Sequence, residues 1–149
     1  MADVAPLDTM METFASICVS SPDITAQRLA ASALPGVIVQ RVSDYDSEKR
    51  VKRVPGINYL TQGMQIGVFG WKNANICSVA TTLSPDTTAE AFITSVEARF
   101  KRKPHTAFSK GEFIRSGWSD RGRQFDLEWR RKDGNVIGLL SVRKKDGYS

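Results

Sequence analysis

Histidine occurs once in this chain and cysteine only twice, and those two scarcities exclude much of the chemistry that side chains carry. A single His105 cannot build a two-histidine metal site. No G-x-S-x-G stretch or similar nucleophile setting lies near it, so a relay around a serine or cysteine has no visible members. The cysteines, Cys18 and Cys77, form no C-x-x-C pair, which removes dithiol redox catalysis and cysteine-rich zinc binding. Gly63, Gly67 and Gly70 lack the lysine or helix start of a phosphate-binding loop. The acidic run Asp44, Asp46 and Glu48 has Lys49 where a calcium loop needs glycine, and it lacks the closing glutamate. No cofactor and no metal is therefore expected. Apolar runs stay short of the ~18 residues of a membrane-spanning helix, and Met1 to Pro6 lack the basic start and apolar core of a secretory signal.

What is present is an ordinary globular composition: 149 residues, 41% hydrophobic and 25% charged. That length fits one domain over residues 1–149, with roughly two-thirds of the unfolded surface buried. Residues 1–5 are expected to form a flexible start and residues 145–149 a flexible tail. The absent signal has two readings, a cytoplasmic protein or a mature form whose signal has been removed. Two cysteines in apolar settings fit either buried thiols in the first case or one disulfide in the second. Their even number and wide spacing favour the bridge and export to the periplasm or beyond. A Cys18–Cys77 bridge closes a loop of roughly 60 residues, which contributes about 4 kcal/mol in the chain-entropy view.

Periodicity sets out the elements. Leu7, Met10, Met11, Phe14 and Cys18 recur at helical spacing and predict a first helix over about 6–18. Ser21-Pro22-Asp23 and Ser84-Pro85-Asp86 both read as helix starts, with serine at the cap and proline in the first position. The second of them predicts the clearest helix, about 85–101, through Ala89, Phe92, Ile93, Val96 and Phe100. Strands are expected at 37–42, 57–62, 64–71, 76–83, 106–109, 112–118, 124–132 and 136–144, with 43–53 as an exposed loop or edge strand. Asp133-Gly134 is a hairpin turn. Centring the hairpin there opposes Arg131 to Val136, Trp129 to Gly138, Leu127 to Leu140 and Phe125 to Val142, so one side is almost wholly apolar, with the Trp129 ring covering Gly138. The expected fold is α+β: a single antiparallel β-sheet packed on one face by two N-terminal helices and one mid-chain helix, ending in a C-terminal β-meander.

The net charge of +5 is unevenly placed. Arg28 is the one base in residues 1–40, and the cations gather later. Lys49, Arg50, Lys52 and Arg53 form one cluster; Lys101, Arg102 and Lys103, with Arg121 and Arg123, form a candidate second. Such groups give salt-sensitive affinity for anionic polymers, and Tyr45, Tyr59, Trp71 and Trp118 are candidate stacking platforms. Asp126 and Glu128 share one strand face and are the only candidates for paired acid–base work. An apolar helix ending in a cysteine, followed by a second cysteine in mid-sheet, resembles small exported bacterial proteins of unknown function, and that likeness carries no site residues over. The leading expectation is a small exported, non-enzymatic protein-interaction module with a macromolecular partner. The alternatives are a binder of nucleic acid or polysaccharide through the basic surface, and a small carboxylate-using enzyme.

Overall fold

A computed structural model describes residues 5–144 apart from 22, 43, 44, 48, 49, 53–55, 72 and 73, and only the backbone of 42, 45–47, 50–52, 71 and 74. The expectations for residues 1–4 and for the 145–149 tail lie outside the described residues. Ala5 is buried, and its N–H donates to the Thr82 carbonyl at 3.1 Å.

The fold is mixed α+β and dominated by its sheet. Helix α1 (Leu7–Thr13) runs directly into a π-helical turn, Phe14–Val19, and then α2 (Ile24–Ser32) follows. Strands β1 (Ile38–Val42), β2 (Tyr45–Ser47), β3 (Arg50–Lys52), β4 (Gly56–Thr61), β5 (Met64–Trp71) and β6 (Ala74–Leu83) precede α3 (Ala89–Phe100). Strands β7 (His105–Lys110), β8 (Phe113–Asp120), β9 (Arg123–Lys132) and β10 (Asn135–Lys144) complete the chain. Eight strands form one antiparallel sheet in the order β1-β4-β5-β6-β10-β9-β8-β7, and β2 and β3 pair with each other.

The β9–β10 register is the expected one, with Trp129 opposite Gly138 and Leu127 opposite Leu140. Asp133 and Gly134 both have positive φ, 54° and 79°, as a two-residue hairpin turn requires. Alternate residues on these strands are buried: Phe125, Leu127 and Trp129 on β9, and Val136, Leu140 and Val142 on β10. They belong to one apolar core with Met10, Phe14, Ile17, Phe92 and Val96 of the helices. An aromatic group joins the layers, with Phe14 edge-on to Phe100 and to Phe125, and Trp118 stacked on Phe125 at 4.9 Å.

Three local expectations need correction. The helix expected from Ser84 begins four residues later, where the Thr88 side chain caps it by accepting from Ala91 N at 3.1 Å. Residues Ser84–Thr87 form a turn because β9 claims its carbonyls: Arg131 Nη2 donates to Pro85 O and Trp129 Nε1 to Thr87 O. Likewise Asp23, not Ser21, caps α2, accepting from Ala26 N at 2.8 Å. Finally, the atoms nearest the bare side of Gly138 are not those of Trp129, its cross-strand neighbour. The bare side of that glycine receives Phe92 of α3, whose Cε1 lies 2.8 Å from where a Cβ would stand, and Leu83, whose Cδ1 is 3.0 Å away.

Candidate functional site

Cys18 and Cys77 are bonded, with their Cα atoms 5.3 Å apart. The first sits in the π-helical turn, where Ser20 N donates five residues back to Ala15 O, and the second lies on β6 opposite Val142 of β10. A polar tie runs beside the bridge. Buried Gln27 donates to Cys18 O at 3.2 Å and accepts from Asn75 Nδ2 at 2.7 Å. Nothing in the residue pattern marked Gln27, because it links three segments that lie far apart in the chain.

The basic residues divide by setting. Lys49 and Arg53 lie outside the described residues, and of Arg50 and Lys52 only the β3 backbone is described. Arg102 Nη2 pairs with Asp120 Oδ1 at 3.1 Å, which brings the end of α3 to the β8–β9 turn. Exposed Lys101 and Lys103 are the chain neighbours of Arg102, and exposed Arg121, with a φ of 52°, is the chain neighbour of Asp120 in that turn. Arg123 faces another way: its Nη1 donates to Val19 O at 3.1 Å, and its guanidinium lies over the Phe125 ring. Two of the candidate stacking platforms are instead core residues. Trp118 is 7% exposed, in the aromatic group, and Tyr59 is 3% exposed. Tyr45 and Trp71 have no described side chains.

The side of the sheet opposite the core residues carries its own order. His105, Gly117, Asp126, Ser141, Ser78, Gly67, Asn58 and Gln40 stand in one row, six polar residues and two glycines, that crosses all eight strands. Asp126 accepts from Gln124 Nε2 at 3.1 Å and lies 3.9 Å from Arg143 Nε, while Glu128 pairs with Arg115 Nε at 3.0 Å. Apolar residues flank the row: partly exposed Leu60 and Leu139 on one side, Phe69 and Ile76 on the other. A shallow groove of about 470 Å³ opens there, lined in part by Ile38, Leu60, Gln65, Ala80 and Ile137.

At the β1 end, the Tyr59 phenol sits near two arginines. Burial pushes its pKa above the ordinary value, and the charges of Arg28 on α2 and Arg41 on β1 draw it the other way. Arg28 had one signal in the sequence, its standing as the only base among the first forty residues. Among the described residues no three His, Cys, Asp or Glu side chains gather as a metal cluster, and no helix is long and apolar enough to cross a membrane. Comparison with protein-family models, with curated proteins and with solved structures returns no match.

Proposed function

We propose that this chain is an exported, non-enzymatic interaction module, periplasmic or secreted, in which the helices cover one face of the sheet and the other face, with its edges, engages a macromolecular partner. The observation that carries this reading is the make-up of the open side. A largely polar row across eight strands, bordered by partly exposed Leu60, Phe69, Ile76 and Leu139, has the mixed apolar and polar character of an interface rather than of a solvated surface. The disulfide suits an oxidising compartment. Asp126 and Glu128 are tied to Arg143, Gln124 and Arg115 on an open surface, a setting that favours a structural role over acid–base work. The test is position-specific crosslinking in the native host. A photoreactive residue in place of Leu139 is expected to capture a protein that one in place of Glu90 on α3 does not, with the chain oxidised and recovered outside the cytoplasm. Equal capture from both positions, or a reduced cytoplasmic protein, contradicts the reading.

A second reading, an anionic-polymer binder, is supported by the Arg102–Asp120 pair, whose members are the chain neighbours of Lys101, Lys103 and Arg121. Retention on heparin or single-stranded DNA at low salt, lost in the triple variant Lys101→Gln, Lys103→Gln and Arg121→Gln, is the expected result. Absence of retention at low salt overturns it. A separate variant neutralising Lys49, Arg50, Lys52 and Arg53 shows whether that cluster takes part.

A further inference from the structure

The two edges of the large sheet are unlike. At one end β7 is exposed along its whole length, but its pairing with β8 is broken by a bulge between Thr106 and Phe108. Cations flank it, Lys101 to Lys103 before and Lys110 at its end. Bulges and lysines are the devices by which edge strands refuse further pairing. At the other end β1 pairs with β4 without a break over all five of its residues, Ile38 to Val42. Its outer N–H and C=O groups have no strand beside them among the described residues. Of the four large hydrophobic residues exposed among the described residues, two lie on this strand, Ile38 at 63% and Val39 at 51%. This edge is regular, apolar and open.

Its described charges are of one sense. Val39 is opposite Tyr59 and Arg41 is opposite Ile57, so Val39, Arg41 and Tyr59 share the core side of the sheet at its margin. Arg28 of α2 bears on the same phenol. Arg28 Nε is buried with no hydrogen-bond partner, and neither arginine has an ion pair among the described residues. A buried guanidinium nitrogen without an acceptor carries a desolvation cost that an arriving carboxylate removes, and charge-assisted bonds of this kind are the strong ones.

We propose that the free edge of β1 takes up an extended acidic segment of a partner protein as an added strand, with a carboxylate side chain seated against Arg41, Arg28 and the Tyr59 hydroxyl and aliphatic neighbours lying beside Ile38 and Val39. Strand addition satisfies the unpaired backbone groups, and alternate side chains supply the specificity. The proposal rests on the reading of this chain as an interaction module and names the partner's chemistry. A second copy of the chain fits less well. Antiparallel pairing of two β1 strands about Gln40 sets Arg41 against Val39 and brings no acid from the described residues of β1 to either arginine.

The test is an amide chemical-shift titration of the full oxidised chain with two synthetic peptides. Each alternates valine and threonine around one central residue, with the outer backbone edge N-methylated to stop self-association; the central residue is glutamate in one and glutamine in the other. The expected result is movement of the Ile38–Val42 amides, with the glutamate peptide bound roughly tenfold more tightly than its twin. That preference disappears in Arg41→Gln, an exposed site whose change leaves the unfolding midpoint in place. Equal binding of the two peptides overturns the carboxylate seat. Shifts confined to β7 or to the open face, or no binding of either peptide, overturn the edge assignment. Self-association of the chain that displaces the peptide overturns the proposal in favour of a second copy. In each of these cases specific crosslinking from Leu139 still stands or falls separately, so failure of the edge and failure of the interaction reading are told apart.

Discussion

On β10, Leu140 is fully buried while its neighbour Leu139 is partly exposed, and that contrast repeats along the strand. The two sides of the sheet use the same device toward different ends. On the core side, Gly138 makes room for Phe92, a ring supplied by α3. The missing side chain lets helix and sheet approach closely. On the open side, Phe69 lies over Gly56 and Gly67, where a Cβ on Gly67 would stand 2.6 Å from Phe69 Cε2. There the ring comes from the sheet itself and lies along its surface. An aromatic against glycine therefore joins layers on one side and smooths a face on the other.

The strongest way to break this contrast is to remove the bridge that ties the N-terminal helices to β6. The double variant Cys18→Ser and Cys77→Ser is expected to lose about 4 kcal/mol, set by a sequence separation of 59 residues, as read by urea unfolding. Gly138→Ala comes next. Its new methyl group meets Phe92 and Leu83, and thermal and chemical unfolding are expected to report a loss of about 1–3 kcal/mol. Gln27→Ala leaves Cys18 O and Asn75 Nδ2 without their partner and is expected to lose about 1–2 kcal/mol, with the disulfide intact by mass.

The smallest expected effect concerns pH. Tyr59 keeps its proton in the folded state to a higher pH than an unfolded tyrosine does, because burial outweighs the pull of Arg28 and Arg41. Its contribution is complete below about pH 10, the unfolded value, and is lost as pH rises through the folded one. The stability of the parent chain relative to Tyr59→Phe should therefore fall above about pH 10 and stay level below it, as measured by chemical unfolding in alkaline buffers.

Local periodicity made a good part of this legible. The β9–β10 hairpin could be read to the residue because a side-chain period of two and the Asp133-Gly134 turn admit one register. The apolar stripe through Phe14 and Cys18 likewise marked the cysteine as facing inward, a position that fits a buried thiol as well as the bridge to Cys77 that the structure shows. What escaped was set by distant partners. Ser84-Pro85-Asp86 has the local chemistry of a helix start, yet Arg131 and Trp129, more than forty residues on, hold the Pro85 and Thr87 carbonyls in a turn. The π-helical turn, the Gln27 tie and the meeting of Arg28, Arg41 and Tyr59 depend on packing that no sequence window contains. Trp118 looked available for stacking because its strand position gives no sign of the Phe125 ring beneath it.

The central claim is that one side of the sheet carries the fold and the other is free to bind. Leu140→Ala and Leu139→Ala test it most directly, since the two residues are adjacent on one strand and differ only in side. Chemical unfolding of the two variants should show a loss of about 2–5 kcal/mol for Leu140→Ala and under about 1 kcal/mol for Leu139→Ala. Equal losses would contradict the account, because they would mean that the open side is as much a core as the other.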